Sequence, residues 1–321
     1  MPAICFEGKN YRTLNGESVL ECLLRHELKI PSSCRSGICQ TCLMRAMRGT
    51  PPEAAQKGLK PAQVQQGYFL PCACIPSEAM EVAMPDTAGL RHDAVVTDIF
   101  KFTTDIVRLR LTRPKDFIYR AGQFLTLFNP NGQGRSYSLA SLPGSEDHLE
   151  FHVRRYPGGQ VSSWIAEELR LGDTLSISEA IGECIYLPEM SEQPMLLIAA
   201  GTGLAPLYGI LRDALHRGHN GIIKLYHGSR TRAGLYLHRE LCQLTQSYPN
   251  LQYIPCLSAA DSPNGFERGR ANEVAVAQNP DLMGWRVYIC GLPDMVSAAK
   301  RAVFLAGASM QAIHSDSFFY H

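Results

Sequence analysis

The sequence predicts a multidomain chain of mixed class: a small α+β segment, then an antiparallel barrel, then an α/β segment built on a parallel sheet. Three observations carry this prediction. One short amphipathic helix near the N-terminus gives way to an aperiodic, cysteine-rich stretch; period-two apolar runs separated by turn residues begin near His92; and strand–helix alternation through a glycine turn begins near residue 193. At 321 residues the chain is too long for one ordinary core and suits two or three domains, with expected bounds 1–88, 89–192 and 193–321.

Composition narrows the class. With 45% hydrophobic and 19% charged residues the chain is globular and not disordered. A formal net charge of +1 provides no global field for nucleic acid or an acidic membrane surface. No stretch approaches the roughly 18 apolar residues of a spanning helix, and Met1 to Lys9 lack a basic region followed by an apolar run. A cytoplasmic, monomeric protein without a membrane span is the expectation. The unusual number is eleven cysteines, crowded before residue 75. A secreted disulfide scaffold would be shorter and would lack the later helical patterns, so thiolate ligation of metal in a reducing compartment is the better reading.

The elements follow in order. Ser18 with Glu21 forms a capping box ahead of Val19, Leu20, Leu23, Leu24 and Leu28, whose spacing predicts one short helix. After Ile30 the pattern stops, and Pro31 through Gly37 reads as a loop whose amides can wrap a buried cluster. Period-two runs at Val95, Val96, Ile99, then Ile106, Val107, Leu109, Leu111, then Phe124, Leu125, Leu127 predict barrel strands. Turn signals at Pro114, Gly122, 129–134, Pro143 and Gly158 separate them. Met195–Ala200 reads as an apolar strand entering Gly201, Thr202 and Gly203, then a helix through Leu207, Ile210, Leu211 and Leu215 that Gly218 stops. Residues 222–226 and 286–289 read as buried strands, and 295–304 as a helix between Pro293 and Gly307.

Cys34, Cys39 and Cys42 stand in the spacing C-x4-C-x2-C, and Cys72 and Cys74 follow. This is the plant-type [2Fe-2S] arrangement; four-iron clusters and zinc ribbons use shorter spacings, and a structural zinc site or inert buried thiols fit it less well. Ser36 and Gly37 are small enough for backbone N–H groups to approach the sulfurs. Spacing alone leaves Cys72 and Cys74 open as the fourth ligand, since alternate residues of an extended segment face opposite ways. Cys5, Cys22, Cys184, Cys242 and Cys256 read as small buried apolar residues. The ten histidines show no ligand pairing and read mostly as surface residues.

Arg135, Ser136, Tyr137 and Ser138 combine a guanidinium fork for a pyrophosphate, a ring to stack on isoalloxazine and a hydroxyl for a ring nitrogen. By themselves they are ordinary strand surface. Their weight comes from Gly158, Gly159, Gln160, Val161 and Ser162 downstream, and from Gly201-Thr202-Gly203-Leu204-Ala205-Pro206 after a strand. That turn lacks the third glycine of the G-x-G-x-x-G fingerprint.

It does match the G-T-G-x-A-P motif, and with it the chain resembles the ferredoxin-NADP reductase superfamily. Gly122 with Gln123, Arg135 to Ser138, Gly228-Ser229-Arg230, Cys290-Gly291-Leu292-Pro293 with Met295, and Asp316-Ser317-Phe318 follow that family's pattern in order. The N-terminal segment resembles the ferredoxin domains of bacterial oxygenase reductases, where Tyr68, Leu70, Cys72 and Pro76 match the stretch around the fourth ligand, which implies Cys72. The resemblance spans the whole chain and implies a β-grasp ferredoxin, a six-stranded antiparallel flavin barrel and a Rossmann-like nicotinamide domain, in the order of benzoate-dioxygenase-type and soluble methane-monooxygenase-type reductases.

By that resemblance Arg135 grips the flavin diphosphate with Ser136 beside it, Tyr137 packs on the flavin, and Ser138 approaches its N5. Ser162, after Gly159 and Val161, holds the pyrophosphate. Gly201, Thr202 and Gly203, with Pro206, carry the nicotinamide dinucleotide at a helix N-terminus. Gly228, Ser229, Arg230, Gly291, Pro293 and Met295 complete that pocket. Ser138, Cys290 and Phe318 stand at the reacting rings, with Asp316 near the flavin edge; Phe319 and Tyr320 are the neighbouring aromatics. The chain departs from the pattern at Gly234, where relatives often carry an acidic residue before the Leu-Tyr pair, and at Ala180, where they carry proline.

A hydride carries two electrons and a [2Fe-2S] cluster accepts one, so FAD is needed between them. The reading is an electron-transfer reductase passing electrons from NAD(P)H through FAD and the cluster to the terminal oxygenase of a multicomponent mono- or dioxygenase. A reductase for an iron-sulfur dehydratase in deoxysugar synthesis, or a non-catalytic redox sensor, are the alternatives. NADH is the expected coenzyme, with NADPH possible because Arg230 and Arg232 could grip a 2′-phosphate. Between Glu27 and Glu53 there is no acidic residue, whereas Lys29, Arg35, Arg45 and Arg48 are present. This basic stretch is expected either to meet an acidic partner, or to serve as solvated charge or bond the cluster loop internally.

Overall fold

The computed structural model describes residues 2–32, 34–59, 61–84, 91–259 and 264–318. The expected boundary at 88/89, Phe319 and Tyr320 lie outside the described residues. The chain divides into two compact units, one of Met1–His92, Thr126–Ser136 and Ser176–Glu179, the other of Asp93–Leu125, Tyr137–Leu175 and Ala180–His321.

In the first unit β1 (Ala3–Phe6), β2 (Lys9–Arg12), α1 (Val19–Arg25), β3 (Met44–Arg48), α2 (Pro61–Gln65), β4 (Tyr68–Phe69) and β5 (Met80–Ala83) form a β-grasp. Its sheet runs β2-β1-β5-β3-β4, with β1 and β5 parallel. The capping box forms as read: Ser18 Oγ accepts from the Glu21 amide at 3.2 Å, and the Ser18 amide donates to Glu21 Oε2 at 2.9 Å. α1 ends sooner than the apolar spacing suggested, because Glu27 takes a φ of 62° and the helix cannot run on to Leu28. Its Val19, Leu20 and Leu23 pack with Ile4, Met44, Phe69 and Val82. Each such burial stabilises by about 1.5–3 kcal/mol.

The second sheet is six-stranded and antiparallel: β6 (Arg91–Lys101), β7 (Ile106–Thr112), β8 (Phe124–Phe128), β9 (Gly134–Ser138), β10 (His148–Arg154) and β11 (Thr174–Ser178), in the order β10-β7-β6-β11-β8-β9. A helix that the period-two reading did not anticipate, α3 (Gln160–Glu167), follows β10.

The third sheet is parallel throughout. It comprises β12 (Met195–Ala200), β13 (Ile223–Ser229), β14 (Leu251–Leu257), β15 (Glu267–Arg268), β16 (Arg286–Gly291) and β17 (Ile313–Ser317), in the order β15-β14-β13-β12-β16-β17. Helices α4 (Leu204–His216), α5 (His238–Ser247), α6 (Ala271–Gln278) and α7 (Pro293–Leu305) alternate with its strands. The strand order reverses between β12 and β16, and the crevice outside the carboxyl ends of such a pair is where open α/β sheets bind ligands. The C-terminal segment, which by its sequence could have been a loose tail, is the edge strand β17, with Asp316 opposite Cys290.

The histidines correct the sequence reading. Among the described ones His152, His219 and His227 are buried, and only His26 and His216 are exposed. Tyrosine hydroxyls solvate these rings: Tyr236 lies 3.2 Å from His152, Tyr186 3.2 Å from His219 and Tyr253 3.3 Å from His227. Cys5 and Cys242 are half-exposed, where burial was expected. Among the described residues no helix is long and apolar enough to cross a membrane.

Candidate functional site

In the first unit the loop after α1 turns twice through left-handed backbone, at Arg35 and Gly37, and again at Gln40. These turns point amides inward. The amides of Ser36 and Cys39 donate to Cys34 Sγ at 3.5 and 3.3 Å, and that of Cys34 donates to Cys39 Sγ at 3.4 Å. Gly37 has no room to be larger, since a Cβ there would stand 3.2 Å from Ala73 Cβ. Cys42 Sγ lies 3.4 Å from Cys72 Sγ. The four thiols therefore stand as two pairs, 34 with 39 and 42 with 72.

Each pair behaves as two thiols sharing one proton. The thiol of Cys39 holds Cys34 down to about 4, while Cys34 pushes Cys39 far up. In the same way Cys42 lowers Cys72 and is itself raised. Two tetrahedral irons joined by two sulfides need one thiolate pair each, so the donor set fits a [2Fe-2S] cluster. Cys74 is turned the other way: it is fully buried among Val19, Leu23 and Met80, where burial pushes its thiol up to about 12.

Also in the first unit, Gly134 precedes Arg135 because a side chain there would come within 2.7 Å of both Thr126 and Phe128. Ser136 Oγ is 3.4 Å from Thr126 Oγ1. In the second unit Ser138 is buried, and its hydroxyl donates to Asp316 Oδ2 at 3.0 Å. Gly122 takes a φ of 90°, and a Cβ on it would strike the Cys184 carbonyl at 2.3 Å; Gln123 Nε2 donates to the Gly182 carbonyl at 3.2 Å. Gly159 precedes α3 without a side-chain cap, so that the helix presents amide donors. Ser162 Oγ accepts from the Tyr156 amide at 3.2 Å, which leaves its hydrogen to donate elsewhere. Val161 is buried and offers a ligand only its backbone.

The glycine turn after β12 sits against the end of β16. A Cβ at Gly203 would lie 2.1 Å from the Cys290 carbonyl, which explains the glycine. Gly201 takes a φ of 56°. α4 begins with no side-chain cap, and Pro206 occupies its first turn, where an amide would have no intrahelical partner. An uncapped helix start with close backbone approach is suited to an anion. Cys290 is fully buried, and its thiol is raised by that burial and by Cys184, whose sulfur is 3.8 Å away. Phe318 donates its amide to the Gly291 carbonyl at 2.8 Å, which anchors the chain end beside Cys290. Met295 reaches Gly291, and Pro293 opens α7. Gly228 and Ser229 end β13, and Arg230 is exposed beyond them.

Three further residues are placed here without any motif to flag them. The Arg154 guanidinium lies beside Gly201, 3.1 Å from where a Cβ would stand, and Thr41 Oγ1 is 3.3 Å from Thr126 Oγ1. Only the position of Arg154 just before the Gly158-Gly159 turn could have singled it out.

Family models match along the chain: a 2Fe-2S iron-sulfur cluster binding domain over residues 6–77, an oxidoreductase FAD-binding domain over 94–186 and an oxidoreductase NAD-binding domain over 197–301. A Ralstonia protein, the ferredoxin–NAD(P)+ reductase component of naphthalene 1,2-dioxygenase/salicylate 5-hydroxylase systems, is 34% identical over 311 residues, 95% of this chain and 94% of that one. The chain belongs to the ferredoxin-NADP reductase superfamily, in the group with an N-terminal [2Fe-2S] ferredoxin domain. It is an oxidoreductase that uses FAD, NAD(H) and a [2Fe-2S] cluster. Other members include the reductase subunit of an Amycolatopsis aromatic O-demethylase, 32% identical over 98% of both chains. Among solved structures an Amycolatopsis cytochrome P450 reductase superposes with a TM-score of 0.71 at 31% identity over 99% of both chains. The ferredoxin reductase in carbazole 1,9a-dioxygenase shares the fold, with a TM-score of 0.69 at 23% identity over 99% of this chain and 98% of that one.

Proposed function

We propose that this reductase is the electron-transfer component of a multicomponent mono- or dioxygenase, taking a hydride from NADH and delivering single electrons to a terminal oxygenase. The observation that carries the reading is the presence, in one chain, of two cysteine pairs and of the Ser138–Asp316–Cys290 grouping. It is supported by whole-length relatives that are themselves components of oxygenase systems. Bound FAD supplies the conversion of a two-electron to a one-electron donor.

The residues divide the work. Cys34 with Cys39 and Cys42 with Cys72 ligate the cluster, one pair per iron. Arg135, Ser136 and Tyr137 hold the flavin, and Gly159, Val161 and Ser162 present backbone and a hydroxyl hydrogen to its pyrophosphate. Gly201, Thr202, Gly203 and Pro206 receive the coenzyme phosphates at the start of α4, while Gly228, Ser229, Arg230, Gly291, Pro293 and Met295 wall the pocket. Asp316 accepts from the Ser138 hydroxyl at 3.0 Å, which would leave the Ser138 oxygen as an acceptor for the flavin N5. Phe318, tied to Gly291, would lie near the flavin edge, and buried Cys290 would stand beside the nicotinamide. We divide the chain at 1–88, 89–192 and 193–321 and place it in the cytoplasm as a monomer, where its eleven cysteines stay reduced.

The test is anaerobic addition of NADH to the purified protein, followed by assays with ferricyanide, cytochrome c and the cognate oxygenase. The flavin bleaches, both artificial acceptors are reduced and the oxygenase turns over. A protein that binds its cofactors but passes electrons to none of these is a sensor, and the reading is wrong.

A further inference from the structure

Three hydroxyls, two of which no motif singled out, form a continuous series between the ligand loop and the flavin strand, all within the first unit. Thr41 lies between Cys39 and Cys42, and its side chain is near enough to the Cys39 sulfur to lower that thiol. Its Oγ1 is 3.3 Å from Thr126 Oγ1, and Thr126 Oγ1 is 3.4 Å from Ser136 Oγ. Ser136 lies in the Arg-Ser-Tyr-Ser segment. Thr126 is not a loose surface residue: it is 2% exposed, its amide donates to Ser178 Oγ at 2.9 Å, and its methyl fills the space that Gly134 leaves.

The donor directions can be assigned. A ligating cysteine is a thiolate and can only accept, so Thr41 donates to Cys39. The Thr41 oxygen then accepts from Thr126, and the Thr126 oxygen accepts from Ser136. One orientation satisfies all three hydroxyls, and it sets their dipoles head to tail toward the cluster.

We propose that the hydroxyls of Ser136, Thr126 and Thr41 are the path by which single electrons pass from the flavin to the cluster, with Thr41 also setting the cluster's potential through Cys39. The proposal rests on the function proposed above. Each passage oxidises the flavin by one electron and reduces the cluster by one. Two passages use the pair delivered by one NADH, and the proton that accompanies the pair leaves to solvent. Thr41 and Thr126 are positioning residues: neither is required for hydride transfer, and both act between the two cofactors. Thr41 donates to a ligand sulfur, and hydrogen bonds of that kind are among the determinants of iron-sulfur potentials.

The test uses the holoprotein with Thr126→Val, which keeps the shape and removes the hydroxyl, and with Thr41→Val and Thr41→Ser. Stopped-flow mixing with NADH reads flavin reduction and cluster reduction separately, and an EPR-monitored titration reads the cluster's midpoint potential. In Thr126→Val the flavin is reduced at the wild-type rate, the cluster is reduced several-fold more slowly and the potential is unchanged. In Thr41→Val cluster reduction slows by about tenfold, the lower end of the cost of losing an outer partner of a metal ligand, and the potential falls. Thr41→Ser restores both.

Cluster reduction at the wild-type rate in both valine variants overturns the path. So does equal slowing of flavin and cluster reduction, which marks a folding defect. If Thr126→Val does not keep its cofactors, Thr41→Val decides by the same two criteria. A wild-type protein that NADH cannot reduce would sink the proposed function itself, an outcome distinct from either of these.

Discussion

Cys72 and Cys74 are two positions apart in a segment that spacing cannot resolve, and the short turn Pro71–Ala73 sends them to opposite sides. Cys72 reaches Cys42, whereas Cys74 completes the packing of α1. Cys72→Ser is therefore expected to abolish the [2Fe-2S] absorbance while flavin stays bound. Cys74→Ser is expected to keep the absorbance and to lower thermal stability, since it puts a hydroxyl into an apolar site. The opposite pattern of absorbance would reverse the assignment. Buried histidines make a second prediction at this scale. Burial, with the nearby charge of His238, lowers His227 to about 3; Tyr253 faces its Nδ1, and its Nε2 has no hydrogen-bond partner among the described residues. The stability of the neutral ring is fully present above the unfolded value of 6.5 and is lost as pH falls from there toward about 3. Denaturation midpoints of wild type and His227→Gln across that range test this: the wild type should lose up to about 1.4 kcal/mol more per pH unit. Equal slopes would refute it. The cysteine spacing was legible because covalent ligation demands fixed intervals. The burial of His227 was not, because a histidine in a strand gives no sign of which neighbours will solvate it.

Elements were legible where one local rule decides them. The Met195–Ala200 strand has the bounds read from the sequence, because an unbroken apolar run must be buried and Gly201 must turn. Strands β14 and β17 were not read, since 251–257 and 313–317 carry mixed residues whose order comes from the sheet they join. The same scale holds a departure from the family pattern. At Gly234, where relatives often carry an acidic residue, a Cβ would meet only the Ser229 side chain, whose hydroxyl can turn aside, so the structure does not force a glycine there. Losing that carboxylate removes one means of rejecting a 2′-phosphate, and Arg230 and Arg232 would then favour NADPH. Arg232, however, has its guanidinium over the Phe266 ring at 5.5 Å, which leaves Arg230 as the basic side chain of this turn not so stacked. One guanidinium holds a 2′-phosphate less firmly than two, so NADH is expected to remain the better coenzyme. Comparison of kcat/KM for the two coenzymes decides it, and a preference for NADPH above about tenfold would overturn the expectation.

Over the whole molecule, a net charge of +1 conceals an uneven distribution, and the acid-free stretch from Leu28 to Pro52 holds three of the four cysteines assigned to the cluster. The structure sorts its four cations. Arg45 Nε donates to the Gln66 carbonyl at 2.8 Å, and its guanidinium lies 5.9 Å from the Tyr68 ring centre, so it is tied to its own domain. Arg48 is 86% exposed and meets Glu81 only at 3.5 Å, a pairing that contributes little in water. Lys29 and Arg35 are exposed, and Ile38, between the first two ligands, is 60% exposed. An exposed apolar residue in a stretch whose exposed charges are all cationic is suited to an acidic partner, the cations guiding encounter and the isoleucine contributing contact area. Electron delivery to the terminal oxygenase is therefore expected to slow as ionic strength rises, because exposed charges are screened over roughly 8 Å at physiological salt. Arg35→Glu with Arg48→Glu is expected to lower the second-order rate at low salt and to flatten its salt dependence, while NADH-driven reduction of ferricyanide is unchanged, since both side chains are remote in sequence from the flavin and nicotinamide motifs. Stopped-flow transfer to the cognate oxygenase, measured against salt for wild type and double variant, tests the assignment. Arg45 is left intact because removing it would confuse loss of docking with loss of the Gln66 contact. A salt-independent rate that is the same in both proteins would mean that the basic stretch serves only as solvated surface.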